Sequence, residues 1–193
     1  MGARRERLDQ SAVIDAAERI VDAGGHAQLT MTALAKDLGV RVPSLYSHVA
    51  NLETLLSLVQ NRAIAELGSD LQRAAMGRAG HAGVRGLAAA LRSFALRHPG
   101  RYALALSAPI DRPGMQLASR TAEEAFGAVM VSMGAELSNE LAALTLSPLH
   151  GALTLERNGL FPSGEVDIDA VYERAIDQVI YAIEVSTASQ API

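Results

Sequence analysis

A glycine-centred turn between two short apolar patterns, in residues 29–52, constrains the fold of this chain more than any other segment. Thr30 or Met31 can cap a first helix, and Gly39 ends that helix because glycine tolerates the left-handed conformation that a tight turn needs. Pro43 suits the first position of a second helix, since its missing N–H has no partner there. The segment therefore predicts two short helices joined by a tight turn.

The two predicted helices bury apolar residues, with Ala35 at the point where the helices cross and a larger side chain would push them apart. The second helix turns a polar face outward, made of Arg41, Ser44, Tyr46, Ser47 and His48. A polar outer face on the second helix of such a pair is what reading base edges in a DNA groove requires. We therefore predict a helix-turn-helix, with an ordinary helical hairpin as the alternative.

Further residues around this turn match a known family. They are Ala16-Ala17, Leu29-Thr30, Leu34-Ala35, Leu38-Gly39-Val40, Pro43 to Val49 and Leu55-Leu56. On them, residues 10–60 resemble the DNA-binding domain of the tetracycline-repressor (TetR) family of transcriptional regulators. The resemblance implies an all-α fold, and the helical patterns along the chain give about nine helices. Residues 1–54 would form a three-helix DNA-binding domain with a disordered arm at 1–9, and residues 55–193 a larger helical domain for effector binding and dimerisation.

Composition agrees with an all-α protein. Hydrophobic residues make up 49% of the chain and aromatics only 4%, which favours helices because strands draw on β-branched and aromatic residues. The absence of cysteine excludes disulfides and thiol chemistry. With charged first residues and no run of 18 apolar residues, we expect no secretory signal, no membrane span and a cytoplasmic location.

Charge is distributed unevenly along the chain. The net charge is −4, but residues 1–50 hold six basic and six acidic groups, so the acidic excess lies in the rest. Salt screens charges beyond about 8–10 Å, so the local cluster of Arg4, Arg5 and Arg7 matters more than the total. We expect DNA affinity to depend on shape and on a dimeric footprint rather than on a strong positive field.

The resemblance and the outward face together assign the DNA contacts. Arg41, Ser44 and Ser47 are predicted to contact base edges, while Tyr46 and His48 are predicted to contact phosphates. The terminal arginines would follow the DNA backbone or enter the minor groove, or else form a solvated tail. The complete predicted DNA-binding set is Arg4, Arg5, Arg7, Thr30, Thr32, Arg41, Val42, Pro43, Ser44, Tyr46, Ser47, His48 and Asn51.

The middle helices are expected to hold an adaptable apolar pocket for a small effector. The predicted lining residues are Leu91, Phe94, His98, Tyr102, Leu106, Phe126, Met130, Met133 and His150. His98 and His150 resemble positions in a subgroup whose C-terminal domain carries a Trp-His-Gly signature, with Leu149 in place of the tryptophan. A lone histidine of this kind is otherwise a helix cap or a satisfied core group.

The last two helices carry apolar stripes suited to a four-helix dimer interface. The predicted interface residues are Leu149, Ala152, Leu153, Tyr172, Ile176, Val179, Ile180 and Ile183. The alternative is that the stripes face only the chain's own core. A homodimer would match a palindromic operator with half-sites about 34–36 Å apart, and the family implies a repressor released by its effector.

No group of residues indicates catalysis. Five histidines, no cysteine and no paired carboxylates give neither a metal cluster nor a nucleophile, and the glycines at 77–83 lack the lysine of a phosphate loop. We expect no enzyme activity, metal or cofactor. A helical interaction module without DNA binding stays as an alternative, because Leu52 stands where many family members carry a phosphate-binding lysine.

Periodicity and breakers give the other helix bounds. Ser11 is the expected cap of the first helix, Asn51 that of the fourth, and residues 77–83 the expected linker. Pro148 predicts a kink or a break near Thr145. The predicted helices beyond the turn are 52–76, 84–97, 99–107, 115–133, 138–158 and 167–186.

Overall fold

The computed structural model describes residues 8–160 and 166–190, with side chains up to residue 188. Over these residues the chain is all helical, as predicted. Its helices are α1 (Gln10–Gly24), α2 (Met31–Leu38), α3 (Val42–Leu45), α4 (Leu52–Ala75), α5 (Gly80–Arg97), α6 (Pro99–Ala105), α7 (Arg112–Ser132), α8 (Asn139–Arg157) and α9 (Ile168–Gln190). A 3₁₀ turn, His26–Gln28, lies between α1 and α2. None of the described helices is both long and apolar enough to span a membrane.

Three predicted helix boundaries are confirmed at the level of single atoms. The side chain of Thr30 accepts a hydrogen bond from Ala33 N at 3.0 Å and so caps α2. Gly39 ends the same helix with φ of 66°, in the left-handed region. Asn51 Oδ1 accepts from Thr54 N at 2.7 Å and caps α4.

Two other boundary predictions are wrong, one of them only in part. The cap of helix α1 lies two residues earlier than expected, at Asp9 rather than Ser11: Asp9 Oδ1 accepts from Ala12 N at 2.8 Å. Helix α8 runs without a break through Pro148, so the predicted break near Thr145 is absent, while a kink there stays a prediction. The hydroxyl of Thr145 donates to the backbone carbonyls one turn earlier, which adds bonds to that turn.

The linker before α5 is shorter than the predicted 77–83, since α5 already begins at Gly80. Gly83 belongs to that helix for a packing reason. A Cβ placed there would lie 3.0 Å from both terminal methyl carbons of Val129 on α7, so the missing side chain lets the two helices approach closely. Likewise α7 begins at Arg112, before the predicted Met115.

The chain divides into two compact units. The first unit is Met1–Ile64 with His98–Ala118, and the second is Ala65–Arg97 with Ser119–Ile193. The first unit therefore contains α1 to α3, the start of α4, all of α6 and the start of α7. Its buried core is Val13, Ala16, Ala17, Val21, Leu29, Leu34, Ala35, Leu45, Val49, Leu55, Val59 and Leu104.

A single buried side chain of α4 holds the segment that follows α6 in the first unit. Gln60 is fully buried, and its Nε2 donates to Leu104 O at 3.0 Å, Ser107 Oγ at 3.1 Å and Ala108 O at 3.3 Å. Its Oε1 accepts from Ile110 N at 3.1 Å. Both ends of the amide are thus satisfied, as a buried polar group requires.

In the second unit α8 and α9 pack along each other, and α5 packs on both. Arg92 of α5 links the other two helices: its guanidinium lies 2.8 Å from a carboxylate oxygen of Glu156 on α8 and 2.6 Å from one of Asp169 on α9. The hydrogen bond to Glu156 is the main cause that raises the pKa of Arg92 above its ordinary value. The same guanidinium lies 5.1 Å from the ring centre of Tyr172.

Candidate nucleic-acid interface

The helix-turn-helix segment, residues 30–51, is anchored by side chains that point away from its polar face. Leu34, Ala35, Leu45 and Val49 are all buried in the core of the first unit. At the turn, Val40 N donates to Ala35 O at 3.0 Å, which closes the helix end around Gly39. The buried set fixes α2 against α3 and leaves the opposite face of α3 to solvent.

Helix α3 is shorter than predicted. It covers one turn, Val42–Leu45, with Arg41 at its cap position and Pro43 in its first turn. Tyr46 ends it, and the chain continues as a turn in which Val49 N donates to Leu45 O at 3.0 Å. The residues predicted on one continuous helical face are therefore divided between α3 and the turn after it.

Most of the predicted DNA-contacting side chains share one property, which is exposure. Val42 and His48 are half-buried, and Tyr46 is 54% exposed. Arg4, Arg5 and Arg7 lie outside the described residues. The exposed members are Thr30, Thr32, Arg41, Pro43, Ser44, Tyr46, Ser47 and Asn51.

Some of these side chains already have partners within the chain. Thr30 and Asn51 are helix caps, and the Ser47 hydroxyl donates to Ser44 O at 2.8 Å. Arg41 and Tyr46, in contrast, extend from the surface at the start and end of α3. An arginine and a tyrosine hydroxyl are donors suited to base edges and phosphates.

Helix α1 supports this segment through two contacts that sequence reasoning missed. Gln10 Nε2 donates to His48 O at 3.1 Å, in the turn after α3. Arg19 Nη2 lies 2.8 Å from Asp37 Oδ2 on α2. No local pattern announces either contact, because the partners are 38 and 18 residues apart.

The other end of α1 meets α6 at a junction that the sequence also did not reveal. Asp22 accepts from the backbone N of Arg101 at 2.9 Å and from its Nε at 2.8 Å. A Cβ at Gly100 would lie only 1.8 Å from Val21 O, so α6 approaches α1 at backbone contact. A cavity of about 690 Å³ opens beside this junction, lined by Asp15, Glu18, Arg19, Asp22, Ala23, Arg62, His98 and Arg101.

The residues predicted to line an effector pocket fall into two groups. His98, Tyr102 and Leu106 belong to the first unit, where Tyr102 is fully buried and Leu106 is 47% exposed. The other six, Leu91, Phe94, Phe126, Met130, Met133 and His150, belong to the second unit. There Leu91, Phe94 and Met130 are buried.

The second unit has a cavity of about 340 Å³ between α5 and α9, and none of the predicted effector residues lines it. Its walls are Arg85, Ala89, Arg92, Ser93, Leu96, Tyr172, Glu173 and Ile176. One of the predicted effector residues, His150, has a shifted pKa. Burial lowers the pKa of its imidazole, so the neutral ring is favoured in the folded protein.

The eight side chains predicted at a dimer interface all pack inside the second unit. None is more than 7% exposed, and Leu153 and Ile183 are fully buried. Within the single chain, the apolar stripes of α8 and α9 therefore pack in its own core, and their role in a dimer interface stays a prediction. Apolar side chains that remain exposed on these helices are Leu144 at 54%, Tyr181 at 68% and Val185 at 45%.

Comparison with protein families gives a match to the tetracyclin repressor-like C-terminal domain over residues 84–179. The chain is also 37% identical over 174 residues to an HTH-type transcriptional regulator of Mycobacterium tuberculosis, Rv0681, which is itself uncharacterized. That alignment covers 88% of this chain and 79% of the relative.

Solved structures share the fold at lower identity. A protein of unknown function from Rhodococcus sp. RHA1 superposes with a TM-score of 0.77 at 21% identity, covering 94% of this chain and 98% of that one. A variant of TetR from Acinetobacter baumannii AYE, in complex with minocycline, superposes with a TM-score of 0.65 at 22% identity, covering 93% and 98%.

Proposed function

Because this chain belongs to the TetR family of helix-turn-helix transcriptional regulators, which are not enzymes, we propose that it is a repressor that binds a palindromic operator as a homodimer and is released by a small, largely apolar effector. One observation supports this proposal most: the polar face of α3 and of the turn after it is exposed, while the apolar side chains of the same segment are buried in the core. A DNA operator as partner would place the protein in the cytoplasm.

We propose that Arg41 reads a base edge and that Tyr46 binds a phosphate. The test is fluorescence anisotropy with labelled duplexes from the region upstream of the coding sequence. Arg41→Ala should relax preference at one base position, by about 1–3 kcal/mol of discrimination. Tyr46→Ala should weaken all sequences similarly, because phosphate contacts do not specify bases.

Matched variants separate these roles from general charge or packing effects. Arg120→Ala removes the same charge from an exposed position of α7 and should leave binding unchanged. Tyr46→Phe keeps the ring but loses the hydroxyl that would donate to phosphate. If Arg41→Ala and Tyr46→Ala lose the same factor on every sequence, the base-reading role of Arg41 is removed. If the unmodified protein binds none of the duplexes, the interaction module without DNA binding takes its place.

For the dimer we propose the exposed side chains of α8 and α9, since the stripes first predicted are already buried. Leu144, Tyr181 and Val185 offer apolar surface on helices that pack together in the second unit. Leu144→Glu and Tyr181→Glu should convert the protein to a monomer in sedimentation velocity experiments. Val131→Glu, at a 71% exposed apolar position of α7, is the control and should leave the association state unchanged.

We propose that residues 55–193 form the effector-binding and dimerising domain and that residues 1–54 form the DNA-reading domain. The subgroup with a Trp-His-Gly signature remains our proposal, with His150 as its histidine. Since Leu91, Phe94 and Met130 are buried, an effector would have to displace side chains, and flexible methionines adapt most easily. A thermal-shift screen of small apolar compounds, followed by release of bound DNA, tests this; compounds that stabilise the protein without releasing DNA would contradict it.

A further inference from the structure

The junction between α1 and α6 supplies the cap that α6 lacks within its own sequence. His98 stands at the cap position of α6, but its side chain makes no capping hydrogen bond. Asp22, from the last turn of α1, accepts the backbone N–H of Arg101 instead, at 2.9 Å. A helix end of this kind needs an acceptor for its free N–H groups, so α6 depends on α1 for its first turn.

The imidazole of His98 is placed between two groups with opposite requirements. Its Nδ1 lies 3.2 Å from Asp22 Oδ2 and is also in hydrogen-bond contact with Arg101 Nη2. A carboxylate only accepts hydrogen bonds and a guanidinium only donates them. Nδ1 therefore accepts from Arg101 when it carries a lone pair, and donates to Asp22 when it carries a proton. It cannot do both in one tautomer, and in the doubly protonated ring only the bond to Asp22 is possible.

When protonated His98 donates to Asp22, Arg101 needs another carboxylate, and one already lies nearby. Arg101 Nη1 is 3.4 Å from Glu18 Oε2, one turn earlier on α1. The side chains of Arg101 and Glu18 are only 8% and 10% exposed, so the exchange takes place where charges interact strongly. Those of His98 and Asp22 are each 21% exposed, which gives protons access from solvent.

Other charged groups surround the junction on α1, on α4 and near the 3₁₀ turn. From α4, Arg62 pairs with Asp15 at 2.6 Å and lies 3.4 Å from Glu18. Arg19 is engaged by Asp37, and the 3₁₀ turn that packs on α6 carries His26 at an exposed position. Three carboxylates, of Asp15, Glu18 and Asp22, thus face two guanidiniums, of Arg62 and Arg101.

We propose that His98 is a proton-operated switch at the α1–α6 junction. On protonation, Asp22 exchanges the guanidinium of Arg101 for the imidazolium of His98, and Arg101 turns to Glu18. Helix α1 also holds the helix-turn-helix segment, through Gln10 at one end and Arg19 along its length. Because α1 contacts both segments, we expect the exchange at its last turn to alter the DNA-reading face and to make DNA affinity depend on pH; this last step rests on the proposed function.

The exchange itself is tested without DNA, by nitrogen-detected NMR of the full chain between about pH 8 and pH 5.5, where histidines ordinarily titrate. The Nε–H resonance of Arg101 should shift in step with the His98 ring. In His98→Asn, whose side-chain oxygen accepts from Arg101 but takes up no proton, the resonance should stay constant. His26→Gln is the matched control and should behave as wild type. An Arg101 resonance that is constant in the wild type, or that titrates equally in His98→Asn, overturns the switch.

If His98→Asn does not fold, the wild-type ring decides. Nδ1 of His98 should carry a lone pair at about pH 8 and a proton at about pH 5.5. A proton on Nδ1 at both pH values overturns the exchange, because Nδ1 then never accepts a hydrogen bond from Arg101.

The link to DNA is tested by anisotropy with an upstream duplex at constant salt, at about pH 8 and pH 6. The ratio of the two affinities should differ between wild type and His98→Asn by about fivefold, as for a modest coupling between sites. His48, near the DNA, is present in both proteins and cancels from this comparison. Equal ratios overturn the link. Absence of binding at either pH instead removes the proposed function, while the NMR result still decides the switch.

Discussion

The first and second units are both helical, but they are held together in different ways. In the first unit single atoms decide positions: Thr30 and Asn51 cap their helices, and Gly100 leaves no space for a methyl group against Val21. In the second unit broad apolar faces of α8 and α9 pack together. Gly83 is a close contact there too, against Val129, but Gly127 of α7 has no neighbouring atom within 4 Å of an added Cβ. A surface that must be presented to another molecule needs specific anchors, whereas a packed core tolerates many equivalent side chains.

The largest effect is expected where backbone meets backbone. Gly100→Ala should lower the free energy of unfolding by at least about 3 kcal/mol, because the new Cβ would overlap Val21 O. Gly127→Ala, in the interior of α7, should be neutral or up to about 1 kcal/mol stabilising. Urea unfolding followed by circular dichroism measures both. Similar values for the two variants would remove the contrast between the units.

A buried hydrogen bond shows that the second unit also has some specific anchors. Tyr172 donates from its hydroxyl to Ala88 O at 2.7 Å, so Tyr172→Phe should cost about 1–1.5 kcal/mol. Tyr181→Phe, on the same helix but 68% exposed, should change stability by less than about 0.5 kcal/mol. Thermal unfolding of both variants checks this. A loss in Tyr181→Phe as large as in Tyr172→Phe would show that burial is not the cause.

A helix cap in the first unit should have a somewhat smaller effect. Thr30→Ala removes the acceptor for Ala33 N and should cost about 1 kcal/mol of unfolding free energy. Thr32→Ala, an exposed position of the same helix, should leave stability within about 0.5 kcal/mol. Urea midpoints measured under one condition compare the two directly. Equal losses would show that the cap is not the cause, because alanine at Thr32 improves helix propensity and should not itself lower stability.

The smallest effect is a pH dependence within the second unit. Because burial lowers the pKa of His150, the unfolded chain binds a proton that the folded protein resists as pH falls below about 6.5. Stability is therefore lost on the acid side, and His150→Gln should lose less than wild type between about pH 7 and pH 5.5. His26→Gln, at an exposed histidine, should keep the wild-type slope in melting temperature. A wild-type slope in His150→Gln would show that this histidine does not contribute.

The sequence was sufficient for features that depend on neighbours along the chain. The caps at Thr30 and Asn51 and the turn at Gly39 each join residues three to five positions apart, so residue type alone predicts them. The exposed face around Arg41 and Tyr46 followed from the same local pattern together with a family resemblance.

Contacts between segments that are distant in the sequence could not be predicted from residue type and local spacing. Asp22 and Arg101 are 79 residues apart, and each looks like an ordinary surface charge until α6 is placed on α1. The helical role of Gly83 depends on Val129, and the apolar stripes of α9 gave no sign of whether a neighbouring helix or a second copy covers them. Periodicity predicts that a face is buried, but the partner is decided by tertiary packing.

The amide of Gln60 also bears on how this protein can diverge. Three of its four bonds reach main-chain atoms, at Leu104, Ala108 and Ile110, and main-chain atoms are the same whatever side chain follows. Many of the side chains between α6 and α7 can therefore change without loss of these hydrogen bonds to Gln60. What this attachment requires is the glutamine itself and the spacing of the segment that it holds, with Ser107 as the one side-chain partner.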